Sequence, residues 1–147
     1  MKKFFKLLPI LALVGFASVS CSKHKAPSCT NYNSQVTINN DNSYTVMVAQ
    51  MMASSPIMFQ IGAVDQDCED QYIFQMTVDS YGTHTISEWS NTVSVIKANL
   101  TTMSQTMYIL SSGTVSITDH GNDSYTFEVN GQDDNGNSFT FNTTHSF

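Results

Sequence analysis

Arginine is absent from this chain of 147 residues, and five of its six lysines precede Ala26. Lys97 is the one lysine in the rest of the chain. Nucleic-acid binding needs a basic patch that neutralises phosphates, and the body of the chain has no residues from which to build one. Phosphorylated cofactors are disfavoured for the same reason, because Arg and Lys are their usual clamps. The sequence therefore excludes a nucleic-acid partner and predicts no cofactor.

Charge of either sign is scarce. Only 12% of the residues are charged, 41% are hydrophobic, and all twelve acids lie at or after Asp41. Serine, threonine and asparagine together make up about a third of the chain. The low charge density and the hydrophobic content argue against a disordered polyelectrolyte. The length suits one domain of ordinary size.

Motifs for catalysis or metal binding are also lacking. There is no Gly-x-Ser-x-Gly elbow, and the Ser-x-x-Lys spacing of Ser94 and Lys97 has no Lys-Thr-Gly to accompany it. Acids cluster at residues 65–70 and at Asp133 and Asp134, but neither cluster matches an EF-hand loop. We expect both clusters to be solvated turns. The sequence predicts a protein that is not an enzyme and has no metal site.

The N-terminus has the pattern of an export signal. Three lysines in the first six residues precede an apolar run of about thirteen residues, which is too short to span a bilayer comfortably. The run ends in Ser18-Val19-Ser20-Cys21. This resembles the lipobox of bacterial lipoproteins, with serine at position 18 where leucine is usual. A plain secretory signal, cut near the same place, and a retained membrane anchor are the alternatives.

The lipoprotein resemblance implies a complete processing scheme. Residues 1–20 would be the signal peptide, and Cys21 would become the first residue of the mature chain and carry the lipid. Beyond the part covered by this resemblance, the polar composition predicts a tether over residues 21–33, and the remaining pattern predicts a single β domain over residues 34–147. The partner implied by this scheme is a membrane, reached through the N-terminal lipid. The location implied is the cell envelope, at the outer membrane on its periplasmic or surface face.

The cysteine count agrees with lipidation. The chain has three cysteines, and an odd count in an exported protein calls for an explanation. Lipidation of Cys21 supplies that explanation and leaves Cys29 and Cys68 as a pair. We predict a disulfide between them, which would join the tether to the domain. Two unpaired thiols are the alternative.

Apolar residues alternate with polar ones through most of the body. The alternation is clearest in residues 57–63, 72–78, 125–129 and 139–141, and period two is typical of strands with one buried face. Asparagine, aspartate and glycine separate the runs at residues 39–42, 121–123 and 133–137. We predict an all-β fold of about eight to ten short strands, as an antiparallel sandwich or small barrel.

Residues 93–110 are ambiguous. Their apolar positions follow the spacing of three and four that is typical of a helix. The residues between them are mostly Thr, Ser and Asn, which are poor helix formers. We favour two strands with a turn near residues 99–104, and a helix is the alternative.

The C-terminal third carries a second resemblance. Its segments are a Gly-Thr-Val-Ser-Ile strand from Gly113, a Ser-Tyr-Thr-Phe strand from Ser124, and Asp-Asp-Asn-Gly from Asp133. This run of about 35 residues resembles small β-rich lipoproteins of unknown function in Gram-negative bacteria. The resemblance implies a sandwich or small barrel and brings no catalytic residues with it.

The sequence favours a non-enzymatic binding or interaction module, with a glycan, a protein or an apolar molecule as its ligand. Loops or sheet faces with exposed aromatic residues are the usual sites of such binding. The single tryptophan, Trp89, and nearby Tyr81 are the candidate ligand-binding residues. Burial of both in the core is the alternative.

Two other functions are considered. An exported copper-handling protein would use soft thioether ligands, whose candidates are Met47, Met51, Met52, Met58, Met103 and Met107 together with His84, His120 and His145. Filling of gaps in a core is the ordinary role of such methionines. An envelope hydrolase would need two facing carboxylates, which the sequence alone does not identify.

Overall fold

The computed structural model describes residues 35–87 and 89–147. The predicted signal peptide and tether, with Cys21 and Cys29, lie outside these residues. Within them there is no helix long and apolar enough to cross a membrane. The described strands are β1 (Gln35–Ile38), β2 (Asp41–Ser54), β3 (Ile57–Val64), β4 (Asp70–Val78), β5 (Gly82–Thr85), β6 (Thr92–Asn99), β7 (Ser104–Gly121), β8 (Ser124–Asp133) and β9 (Ser138–Ser146). The prediction of an all-β fold with eight to ten strands is confirmed.

The strands form a closed antiparallel barrel. Its eight members are joined in the order β1-β2-β3-β4-β6-β7-β8-β9, and β9 pairs again with β1. The short strand β5 is the ninth and pairs with β7, on the same edge as β6 and farther along. Of the two predicted architectures, the structure has the barrel.

Side chains from all sides fill the barrel interior. Four phenylalanines from four strands are at most 2% exposed: Phe59, Phe74, Phe127 and Phe141. Phe59 packs against Phe127 with ring centroids 4.9 Å apart, and Phe74 packs against Phe141 at 4.2 Å. Burial of each such side chain stabilises the fold by about 1.5–3 kcal/mol. Eight strands enclose a space just wide enough for side chains to fill, so this interior is a packed core.

Two-residue turns join β1 to β2 and β7 to β8. Asn39 and Asn40 have φ of 52° and 66°, and Asn122 and Asp123 have φ of 53° and 57°. Two successive positive φ values match the type I′ turn, whose twist suits antiparallel strands and which favours Asn and Asp. The predicted turns near residues 39–42 and 121–123 are confirmed, although Asp41 and Asn42 already belong to β2 and Gly121 still belongs to β7.

Residues 93–110 form strands, and the helix alternative is wrong. They belong to β6 and β7, with the intervening turn at residues 100–103. The Asn99 side-chain oxygen accepts hydrogen bonds from the Thr102 amide at 2.8 Å and from its hydroxyl at 2.9 Å. The helix-like spacing is accidental, because its apolar residues lie in three different places. Val93 and Leu110 are in the core, Met107 is 45% exposed on β7, and Leu100 and Met103 lie in the turn.

Candidate functional site

Tyr81 lies at one end of the barrel, in the bend between β4 and β5. Its side chain is 40% exposed, and its ring stacks on Tyr125 with centroids 5.8 Å apart and planes 29° apart. A hydrogen bond to Tyr81, helped by burial, raises the pKa of Tyr125 to about 12. The Tyr81 ring therefore packs on the ring of a buried residue, Tyr125.

The aromatic contacts continue from this pair into the core. Tyr125 meets Phe147 edge-on at 5.7 Å, and Phe147 lies 5.7 Å from Phe59, which is fully buried. Phe147 is itself 47% exposed, and its backbone N–H donates to the Asp123 carbonyl at 2.9 Å. Aromatic rings thus form a continuous path from the barrel core to solvent.

Trp89 lies on a short loop between β5 and β6, and it is 88% exposed. The Ser87 hydroxyl donates to the Ser90 carbonyl at 2.7 Å and accepts from the Ser90 amide at 3.1 Å. The Asp79 amide donates to the Asn91 side-chain oxygen at 3.2 Å, which joins this loop to the bend that carries Tyr81. The structure therefore places both candidate residues on two connected loops at the same end.

We call this region the aromatic end and define it by Phe59, Tyr81, Trp89, Tyr125 and Phe147. The alternative of core burial is wrong for Trp89, and Tyr81 is only partly covered. Sequence reasoning missed Tyr125 and Phe147 as members. The available signal was the alternation of β9, whose inward phase continues through the buried Thr143 to the last residue.

The methionines and histidines are distributed over several regions. Met103 and Met107 lie at the β6–β7 turn and the start of β7, whereas Met58 on β3 accepts a hydrogen bond from Gln75 through its sulfur at 3.5 Å. His84 Nε2 lies 2.8 Å from the Ser80 carbonyl oxygen. Among the described residues, His, Cys, Asp and Glu form no group of three or more that could hold a metal. No observation favours the copper-handling alternative.

In both acidic clusters, an aspartate side chain accepts hydrogen bonds from residues of its own turn. The Asp65 carboxylate accepts from the Glu69 amide at 2.8 Å. Asp133 accepts from the Asn135 amide at 2.9 Å and from both the backbone and side-chain nitrogens of Asn137 at 2.8 Å. The expectation of a solvated turn is wrong for Asp133, which is 8% exposed. The hydrogen bond from the Asn137 side chain is the main reason that its pKa is lowered.

Cys68 is half-buried in the turn between β3 and β4, with φ of 58°. Its backbone N–H donates to the Asp65 carbonyl at 3.2 Å. Because Cys29 lies outside the described residues, the pairing of Cys29 with Cys68 stays a prediction. Lipidation of Cys21 stays a prediction for the same reason.

No family model, no curated protein and no solved structure matches the chain.

Proposed function

We propose that the protein is a lipid-anchored module of the bacterial cell envelope that binds a ligand without converting it. The observation that carries the proposal is the aromatic end. There, Trp89 is 88% exposed and Tyr81 is 40% exposed on connected loops, although the barrel interior is filled. Exposed aromatic rings on ordered loops are typical of binding sites, because they offer apolar area at a low cost in conformational entropy.

Anchoring is proposed through lipid on Cys21, by resemblance to the lipobox. The test is mass spectrometry of the N-terminal peptide, together with membrane fractionation of the chain and of its Cys21→Ser variant. We expect a diacylated or triacylated Cys21 and a membrane-bound chain, with the variant unprocessed or released. An unmodified mature N-terminus downstream of Cys21 would instead establish plain secretion.

Binding is tested through the fluorescence of Trp89, which is the single tryptophan of the chain. Peptidoglycan fragments, lipopolysaccharide and solubilised envelope proteins are titrated separately into the chain. We expect one of them to shift the Trp89 emission and Tyr81→Ala to weaken that response roughly tenfold or more. Met103→Ala is the matched control, because Met103 is 79% exposed in a turn at the other end of the barrel.

A hydrolase panel run on the same preparation tests the non-enzymatic part. Turnover that survives repurification and disappears when one acidic residue is changed to its amide would overturn it. An emission that responds to none of the three fractions would remove the aromatic end as the binding site.

A further inference from the structure

The outer surface of the barrel carries a groove away from the filled interior. It lies across the outward faces of β1, β9, β8, β7 and β5, and its volume is about 350 Å³. That volume is within the range of roughly 300–1,000 Å³ that small-molecule sites occupy.

Strand register places polar side chains in a row across this groove. Thr37 pairs with Asn142, Asn142 with Glu128, Glu128 with Ser116, and Ser116 with Thr83. Neighbouring strands lie about 4.8 Å apart, so an extended ligand laid across them meets one polar side chain at each step.

A second row runs beside the first. Thr140 pairs with Asn130, and Asn130 pairs with Thr114. The two rows together offer hydroxyl and amide groups, which can both donate and accept hydrogen bonds.

Hydrogen bonds within the groove hold several of these groups in place. The Asn142 side-chain nitrogen donates to Glu128 Oε1 at 3.1 Å, and the Thr83 hydroxyl donates to Ser116 Oγ at 3.0 Å. Ser116 is only 9% exposed. The site is therefore partly preorganised before any ligand arrives.

One hydroxyl is left unsatisfied beneath the groove. Thr140 Oγ1 is enclosed and has no hydrogen-bond partner within the described part of the chain. A buried polar group without a partner is costly, and each such group calls for an explanation. Because this oxygen is closed to solvent, a ligand hydroxyl in the groove would supply the missing partner only after the Thr140 side chain rotates towards the groove.

The charge of the groove limits the chemical class of ligand that it can bind. Glu128 is the one charged residue among those that line it, so an anion would be repelled. A divalent cation prefers six or more oxygen ligands with several carboxylates, and a single carboxylate is too few for such a site. An apolar molecule would leave the hydroxyls and amides unpaired. With ten of the eleven lining residues uncharged, most of them hydroxyl or amide residues, an uncharged molecule with many hydroxyl groups matches the groove best.

We propose that this groove binds a neutral saccharide, laid across the strands. The proposal assigns a second site and a ligand class, and it does not depend on binding at the aromatic end. Phe141 is the one aromatic residue that lines the groove, and it is only 2% exposed. Without ring stacking we expect affinities in the millimolar range, worth roughly 4–5 kcal/mol.

The test is saturation-transfer NMR and calorimetry on the full chain, purified in a detergent without a sugar headgroup. The probes are cellotetraose, chitotetraose, xylotetraose and maltotetraose, with glucose 6-phosphate compared against glucose. We expect at least one neutral tetrasaccharide to bind, and the phosphate to weaken binding of glucose.

Variants localise the binding. Asn130→Phe fills the groove from an exposed position and should reduce affinity roughly tenfold or more, whereas Gln105→Phe on an exposed part of β7 outside the groove is the matched control. Thr140→Val removes the enclosed hydroxyl. We expect it to weaken binding while leaving the melting temperature unchanged or higher, because an unsatisfied polar atom is lost.

The outcomes separate this proposal from the proposed function. If no neutral saccharide binds, or if both Asn130→Phe and Thr140→Val bind as the unaltered chain does, the groove is not the site. Saccharide binding that is lost in Trp89→Ala and kept in Asn130→Phe would overturn the groove proposal and support the aromatic end. Tighter binding of glucose 6-phosphate than of glucose would overturn the ligand class.

Discussion

Gly113 of β7 lies directly opposite Gly131 of β8. On the other edge of β7, Gly113 lies between the part that pairs with β6 and the part that pairs with β5. Gly113 has φ of 114°, and a Cβ added there would collide with the Asn130 carbonyl oxygen. A Cβ on Gly131 would lie 2.7 Å from the Ser112 carbonyl oxygen. The two strands come this close only because neither residue has a side chain.

The first prediction is that Gly113→Ala strongly destabilises the barrel. The variant combines an unfavourable φ with a backbone collision, and we expect the free energy of unfolding to fall by about 3 kcal/mol or more. Urea unfolding followed by circular dichroism measures the change.

Gly82→Ala is the matched control for this prediction. Gly82 has nearly the same φ, 117°, but a Cβ there would meet no atom within 4 Å. We expect a loss of about 1–2 kcal/mol from conformational strain alone. Equal losses in the two variants would show that the close approach of β7 and β8 does not constrain Gly113.

Local pattern predicted the strands and turns but not the closure of the barrel. Alternation correctly identified the inward residues of β4 and β8, because side chains of a strand point to opposite faces in turn. A sandwich and a barrel share that alternation. Closure depends on the pairing of Thr37 with Asn142, between strands at opposite ends of the described chain. No local signal encodes such a contact.

The candidate sites were predictable to different degrees. Trp89 and Tyr81 were identified as aromatic residues near one strand and its turn, but their exposure could not be read from the sequence, since buried aromatics occur in the same contexts. The groove was missed entirely. Its residues, such as Asn130 and Thr140, have the pattern of an ordinary solvent-facing strand surface. They form a site only once five strands lie in register.

The second prediction concerns the turn between β8 and β9. Asp133 accepts three hydrogen bonds from Asn135 and Asn137. Asp133→Asn keeps the shape and one accepting oxygen but removes the charge. We expect the melting temperature at neutral pH to fall by about 2–5 °C, as is usual for a loss of modest size in a domain of this length. Differential scanning calorimetry measures it.

Acid pH provides the control for this turn. The pKa of Asp133 is lowered in the folded chain, with the Asn137 side-chain hydrogen bond as the largest cause. A lowered folded pKa contributes stability above the unfolded value of 3.8, and that stability is lost as pH falls through the folded pKa. The difference between the chain and Asp133→Asn should therefore shrink in acid. A difference that stays constant down to acid pH would contradict the charge-based account.

The third prediction is a loss of stability in alkali. Hydrogen bonding to Tyr81 and burial raise the pKa of Tyr125 from 10.0 to about 12. Because the unfolded chain loses this proton first, the stability it contributes is present below pH 10 and falls as pH rises towards 12. Urea unfolding at a series of pH values should show this decline.

Two variants isolate the tyrosine pair. Tyr81→Phe removes the hydroxyl partner and should shift the tyrosinate absorbance titration of Tyr125 to lower pH. Tyr125→Phe should remove the part of the alkaline decline that Tyr125 causes. If Tyr125 titrates at the same pH in Tyr81→Phe as in the unaltered chain, the hydrogen bond to the Tyr81 hydroxyl does not control this pKa.

The fourth prediction is the disulfide between Cys29 and Cys68. Cys68 is the one cysteine among residues 35–147, so a partner within the chain must come from the N-terminal segment. A cross-link that closes a loop of this length is worth about 4 kcal/mol in the chain-entropy model. With the sulfur of Cys21 blocked by a thioether to the lipid, thiol counting under denaturing conditions should find no free thiol without reductant and two with it. The double variant Cys29→Ser and Cys68→Ser should have the stability of the reduced chain, because both lack only the cross-link. Two free thiols in the unreduced chain, or equal stability with and without reductant, would rule the disulfide out.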